Sequence, residues 1–298
     1  MQIQPCGPLR GEITVPGDKS ISHRAVMLGA LANGTTHITG FLMGEDCLST
    51  IDCFRKMGVE INITDDEVIV EGVGLHGLEA PSEALYTGNS GTTTRLLCGI
   101  LAGQPFTVTM SGDPSIQKRP MGRVMKPLRE MGASIEGKND NFCPLTLFPS
   151  ELHGIEYRLP VASAQLKSAI LLAGLYAEGQ TTVIEPAPSR DHTEIETSGS
   201  TITLDPPEDL HAVDIAVPGD ISSAAFFLVA GAIIPGSELT IKNVGVNPTR
   251  TGVLDVLRDM GADITESNFR DEAEPMCDLT VKYSKLHGGE IGGAIIPR

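Results

Sequence analysis

Tryptophan is absent from this chain, and aromatic residues make up only 4% of it. Its core must therefore be built from aliphatic side chains. Basic residues are also few: 22 Lys and Arg stand against 38 Asp and Glu, a net charge of −16. That balance argues against nucleic acid or an anionic membrane as a partner. It also means that an anionic ligand must be drawn in by a local cluster of cations. The longest apolar run, residues 224–234, is too short to span a bilayer. The opening MQIQPCGPLR has no apolar signal core, so a cytoplasmic protein is expected. Cys6, Cys47, Cys53, Cys98, Cys143 and Cys277 are scattered without a CxxC pair. This spacing points to reduced thiols rather than a disulfide framework or a zinc site, and no metal is expected.

What is present is ordinary in bulk: 298 residues, 41% hydrophobic and 20% charged, enough for one large or two ordinary domains. The informative stretch is VPGDKSISHR, residues 15–24. Pro16 and Gly17 break a β-like run. Asp18, Ser20 and Ser22 are good helix caps, and a helix is expected from Ser22 onward. Lys19, Ser20 and Arg24 then sit at or just inside a helix N-terminus. Free N–H groups, an ammonium, a hydroxyl and a guanidinium there make a site for a dianion such as phosphate. A capped surface helix with two solvated cations accounts for the same residues. A Walker loop does not, because Asp18 separates Gly17 from Lys19.

Internal repetition organises the rest. A small or polar loop, an Ala/Leu-rich helix, a Gly turn and a β-like run recur four times, starting near residues 20, 91, 162 and 221. A second phrase, a helix closed by Met-Gly and then a strand, follows three of them: FRKMGVEI, LREMGASI and LRDMGADI. The glycine after each helix suits a left-handed cap. Each unit reads as βαβαββ, the pattern of an α/β layer. The third copy runs from its strand through EPAPSRDHTE into IETSGSTITL without a Met-Gly helix. VPGD itself occurs twice, at 15–18 and 217–220, each time leading into a helix. Two equivalent crossovers are therefore expected. They divide the chain into a domain of three units over 15–217 (the third shortened) and a partial second domain of 1–14 plus 218–298.

Further oxyanion donors lie at the starts of the repeated helices. Asn89, Gly91 and their neighbours in GNSGTTTR form a second Gly- and hydroxyl-rich cradle. An ordinary strand-to-helix turn would look the same. Gln117, Lys118 and Arg119 precede Pro120 and could clamp a carboxylate or phosphate, or form a solvated basic patch. Ser163 and Gln165 could bind hydroxyls or phosphate; a plain cap and a surface glutamine explain them equally. Arg190 follows a Pro-rich turn as another anion contact, and His192 is given no role. Converging contacts of this kind suit a ligand, or a ligand pair, with several negative charges.

The motifs GDKSISHRA, LYTGNSGTTTRLL, SGDPSIQKRPM, VASAQLKSAILLAG, SRDHTE, VPGDISSAAFFL and NVGVNPTRTGVLDVL resemble the family of 5-enolpyruvylshikimate-3-phosphate synthases, the 3-phosphoshikimate 1-carboxyvinyltransferases. The likeness runs through essentially the whole chain. It is similar to the Gram-positive form, with GNSGTTTR rather than GNAGTAMR. The resemblance implies a two-domain enolpyruvyl-transferase fold of α/β class, its second domain incomplete here. It also implies transfer of the enolpyruvyl group of phosphoenolpyruvate to the 5-hydroxyl of shikimate 3-phosphate, with release of phosphate, on the way to chorismate and aromatic amino acids. Neither metal nor organic cofactor is implied, and a monomer is expected. By this resemblance Lys19 contacts both substrates and is the catalytic residue. Ser20, Arg24, Ser163, Gln165 and Arg190 hold shikimate 3-phosphate. Asn89, Gly91, Arg119 and Gln165 line the phosphoenolpyruvate pocket, where the inhibitor glyphosate also binds. Asp46 matches a buried acid near Lys19.

Family members continue past the position of Arg298, with an Asp, a Glu proposed as acid–base catalyst, and further Arg and Lys residues. A truncated chain with an internal deletion, poorly active by itself and exposing apolar surface, is the expectation. Two other functions remain in view: an inactive chain that still binds shikimate 3-phosphate, and the sister transferase acting on UDP-N-acetylglucosamine. The latter usually carries a loop cysteine as acid, and neither Cys98, in a helix phrase, nor Cys143, before a strand, suits that role.

Overall fold

Every helix-first phrase folds as a helix. In a computed structural model describing residues 7–65, 67–187, 189–193, 197–198, 200–271 and 274–296, seven α-helices are found among the described residues. They are α1 (Lys19–Leu31), α2 (Glu45–Lys56), α3 (Gly91–Ala102), α4 (Gly122–Glu130), α5 (Ala164–Gly174), α6 (Ile221–Ile233) and α7 (Gly252–Asp259). α1 starts at Lys19, three residues before the expected Ser22, so Lys19 and Ser20 lie within its first turn. The three Met-Gly helices are α2, α4 and α7. Gly58, Gly132 and Gly261 follow them with φ of +88°, +103° and +93°, a backbone region that other L-residues rarely enter.

The chain divides into two units. The larger comprises Ser20–Thr39 and Met43–Ile215; the smaller comprises Met1–Lys19, Gly40–Leu42 and Ala216–Arg298. Among the described residues the β-strands form four sheets of four strands, all with one pattern. In the second repeat the spatial order is Leu85–Tyr86, Val108–Ser111, Phe142–Phe148, Ser134–Lys138, with the first pair parallel and the others antiparallel. The third repeat copies it with Glu156–Arg158, Thr181–Ile184, Thr201–Leu204 and Thr197–Ser198. Among its described residues none between Ile184 and Thr197 is helical. In the other two sheets the first strand comes from far away in sequence. Arg10–Thr14 leads Glu238–Gly245, Pro275–Lys282 and Asp263–Asp271, and Ile215–Ala216 leads Asn33–Thr39, Glu67–Val73 and Glu60–Ile63. Each of these two leading strands stands directly before a VPGD segment.

In the larger unit α3 and α5 pack side by side. A methyl group on Gly99 would lie 2.2 Å from the carbonyl oxygen of Ala169, so only glycine fits. Both helices bury aliphatic side chains: Leu96, Leu97, Ile100 and Leu101 on α3, and Leu166, Ala169, Ile170 and Ala173 on α5. This contact sets the starts of the two helices beside each other. In the smaller unit α6 buries Ile221, Ala224, Leu228 and Ala232 on its sheet. Its opposite side leaves Phe226, Phe227, Val229 and Ile233 exposed, Phe226 by 79%.

The two VPGD segments meet in the smaller unit. Gly17 and Gly219 form an antiparallel bridge. Asp18 N–H donates to Pro218 C=O at 2.8 Å, and Asp220 N–H donates to Pro16 C=O at 2.9 Å. One buried guanidinium serves both carboxylates: Arg250 Nη1 donates to Asp18 Oδ2 at 2.9 Å and Nη2 to Asp220 Oδ1 at 3.0 Å. Nη2 also reaches Ser222 Oγ at 2.9 Å, while Asp220 Oδ1 caps α6 by accepting from Ser222 N–H at 2.9 Å. Removing one partner of a buried ion pair strands the other charge, at a cost of about 3–5 kcal/mol. Arg250→Met is expected to lower the unfolding free energy by about that amount in urea titrations. A loss below about 1 kcal/mol would show that the clamp is dispensable.

Candidate functional site

The first turn of α1 and the start of α5 come together through Arg24. Lys19 opens α1 and is exposed, whereas Arg24, just over one turn later, is buried. Arg24 Nη1 donates to the Ser20 carbonyl at 3.1 Å, Nε to Thr193 Oγ1 at 2.7 Å and Nη2 to Ser168 Oγ at 2.6 Å. The Ser168 and Thr193 hydroxyls are themselves 2.8 Å apart. Arg190 Nη1 donates to Ser20 Oγ at 3.3 Å. Three of the expected anion contacts, Ser20, Arg24 and Arg190, therefore form one group. Ser168 and Thr193 complete it; sequence reading missed them, although both stand within quoted motifs.

A second group forms where α3 meets α5. Ser90 caps α3, accepting from Thr93 N–H at 3.1 Å. Gln165, at the start of α5, is no idle surface glutamine. Its Oε1 accepts from Arg95 Nη1 at 2.9 Å and its Nε2 donates to Thr92 Oγ1 at 3.0 Å. Burial, with the nearby guanidiniums of Arg119 and Arg123, lowers the Arg95 pKa, and no carboxylate is among the groups that shift it. Cations clustered without an acid between them disfavour one another until an anion joins them. Arg119 was an expected contact; Arg95 was quoted only as part of a motif, and Arg123 was not singled out. Gly91 sits against this cluster: a methyl group there would lie 2.6 Å from Arg95 Nη1 and 3.2 Å from Arg119 Nη1.

A buried hydroxyl relay ties the helix starts together. His23 Nδ1 on α1 is 2.8 Å from Thr50 Oγ1 on α2, which is 2.8 Å from Thr93 Oγ1 on α3, itself 2.7 Å from Ser90 Oγ. Ser163 takes the cap position of α5, but its side chain makes no capping bond. Asp46, expected to be buried, is only partly so. It lies in the first turn of α2, and its carbonyl accepts from Thr93 Oγ1 at 3.3 Å. Asn89 is exposed and borders a hollow of about 400 Å³ that Glu45, Asp52 and Asp113 also line. That negative setting differs from the arginine cluster around Gly91.

A family model described as EPSP synthase (3-phosphoshikimate 1-carboxyvinyltransferase) matches residues 3–291. The chain belongs to the EPSP synthase family. It is 60% identical to the 3-phosphoshikimate 1-carboxyvinyltransferase of Geobacillus thermodenitrificans (strain NG80-2), an alignment covering 97% of this chain and 70% of that protein. Against the enzyme of the same name from Bacillus anthracis (strain A0248) the identity is 58%, covering 99% and 72%. The solved EPSP synthase of Acinetobacter baumannii superposes with a TM-score of 0.91 at 50% identity, covering 98% of this chain and 69% of that one. The repeated sheets and helices described above are thus the architecture of this family.

The cysteines contribute nothing reactive among the described residues. Cys47, Cys53, Cys98, Cys143 and Cys277 are buried and form no disulfide among the described residues; Cys6 lies outside them. Burial pushes the Cys53 and Cys277 thiols up to about 12, and raises Cys98 and Cys143 as well. A thiol of pKa near 12 is roughly one part in 10⁴ thiolate at pH 8, and the thiolate is the reactive form. The described thiols are expected to react with a disulfide reagent only after denaturation, as followed by absorbance. Fast labelling of Cys98 or Cys143 in the native chain would contradict this. For the arginine cluster, Gly91→Ala is expected to leave the fold intact. It should weaken binding of inorganic phosphate about tenfold in NMR titrations, the scale of one charge-assisted hydrogen bond. Unchanged affinity would show that Arg95 and Arg119 do not hold the anion.

Proposed function

We propose that this chain binds shikimate 3-phosphate and phosphoenolpyruvate and carries the enolpyruvyl transfer of its family, with the substrates divided between the two arginine groups. The observation that carries the reading is their separation: Arg24 and Arg190 gather at Ser20, Arg95 and Arg119 gather at Gly91, and α5 stands beside both. Ser20, Arg24, Arg190 and Ser163 take shikimate 3-phosphate. Gly91 and Arg119, joined by Arg95, take the carboxylate and phosphate of phosphoenolpyruvate. Gln165, tethered to Arg95 and Thr92, serves both ligands. Asn89 is the member of the phosphoenolpyruvate set with least support from its surroundings. Glyphosate, an anion, competes for the same cluster, and the protein acts as a cytoplasmic monomer.

The chemistry sets the remaining demands. The 5-hydroxyl oxygen bonds to C2 of phosphoenolpyruvate while the methylene carbon gains a proton. The resulting tetrahedral adduct expels phosphate as the methyl group loses a proton and the double bond returns. A proton donor, a base and cations for the accumulating negative charge are needed. Lys19 supplies a cation and a proton at the start of α1. Arginines fixed before the substrates arrive stabilise the adduct without reorganisation in the transition state.

Calorimetric titration of the chain with shikimate 3-phosphate is expected to show binding that weakens at least a hundredfold in Arg24→Ala, which removes two or more charge-assisted bonds. Phosphate release from phosphoenolpyruvate should require shikimate 3-phosphate. Binding without release identifies a chain that holds its substrate but lacks a complete acid–base set. No binding, or a response only to UDP-N-acetylglucosamine, overturns the reading.

A further inference from the structure

Lys167 is the one lysine among the largest fully buried side chains of the described residues, 1% exposed within α5, and the mechanism above does not use it. Its partner Glu185 is 4% exposed and stands at the head of the irregular segment that carries Arg190. Lys167 Nζ donates to Glu185 Oε2 at 2.7 Å, with both side chains 2% exposed, and to the Ser189 carbonyl at 3.4 Å. Glu185 in turn folds the segment onto itself. Its Oε2 accepts from Ser189 N–H at 3.3 Å, and its Oε1 accepts from the Ser189 hydroxyl. Ser189 is thus gripped through its N–H, its C=O and its side chain, all by one ion pair. The next residue, Arg190, reaches Ser20, and Thr193 receives Arg24.

Removing two charges from water is expensive, and an apolar pair of the same volume is often no less stable. A buried pair in this position is better explained by what it orients than by the stability it adds. Among the described residues of the segment none lies in a helix or strand. It belongs to the repeat that has no Met-Gly phrase. Without a fixed anchor, the Arg190 guanidinium would lose several rotamers and a mobile backbone each time it met an anion.

We propose that the Lys167–Glu185 pair, acting through Ser189, is a positioning device that presents Arg190 and Thr193 to the phosphate of shikimate 3-phosphate; this rests on the function proposed above. Both residues are positioning residues, and neither touches the ligand.

The test uses the whole chain carrying Lys167→Met together with Glu185→Leu, so that no charge is left stranded. Three quantities are read: the thermal midpoint, amide exchange at Ser189–Thr193, and titrations with shikimate 3-phosphate and with inorganic phosphate. The expected result is a midpoint within a few degrees of the parent, with faster exchange confined to Ser189–Thr193. Shikimate 3-phosphate should bind at least tenfold more weakly, while inorganic phosphate binding at the Arg95–Arg119 cluster is unchanged. General damage would weaken both ligands alike, and that result overturns the proposal. So does parental exchange with parental affinity. Where the double variant does not fold, Ser189→Ala keeps the ion pair and removes one link, and a several-fold loss confined to shikimate 3-phosphate is expected; no loss overturns the proposal. A parent chain that fails to bind shikimate 3-phosphate overturns the assigned function instead, and exchange at Ser189–Thr193 then still decides whether the pair orders the segment.

Discussion

One buried guanidinium answers for both copies of VPGD. Arg250 lies between Asp18 and Asp220, so the two VPGD segments of the smaller unit are tied to a single side chain. Two carboxylates drawn to one place repel each other, and the guanidinium that bonds to both offsets that repulsion. The backbone exchange between Gly17 and Gly219 brings them together, and Arg250 makes the approach tolerable. Asp18 is also the residue immediately before Lys19.

The larger unit solves a different electrostatic problem. Arg129 and Arg158 pair with Asp140 and Glu156 at its surface, whereas the bonds described for Arg24 and Arg95 at the helix starts run to neutral groups. Arg24 is held by hydroxyls and a carbonyl, and Arg95 by an amide and a carbonyl. Neutral partners orient a guanidinium without cancelling its charge. The threonine-rich start of α3 serves the same end. Thr92 anchors Gln165, and Thr93 joins a relay that fixes α1, α2 and α3 relative to one another. The contrast with Lys167 is instructive, because there the charge is neutralised by Glu185 and its effect is confined to shaping a loop.

Much of the architecture was legible in the residues because the features that reveal it are local. Helix starts follow from caps and apolar spacing, and each Met-Gly ending demands a positive φ whatever surrounds it. The third copy's want of a Met-Gly phrase shows as a gap against its siblings. The start of α1 was placed three residues late, since Ser20 and Ser22 are both competent caps and propensity does not choose between them. Asp46 was expected to be buried, but the side of α2 that faces inward is a matter of packing.

Sequence alone determined the repeat, the doubled crossover word, the family likeness and the identity of most donors, because each is carried by residues adjacent in the chain. Tertiary structure alone decided which donors meet. Arg24 and Thr193 are 169 residues apart, and Arg95 and Gln165 are 70 apart. Nothing in either segment names its partner. Their meeting depends on Gly99 letting α3 lie against the backbone of α5, and on a buried lysine holding an irregular segment in place. Distances of a few ångströms between distant residues are set by how helices pack and where loops are pinned, and a linear pattern of residue types does not contain them.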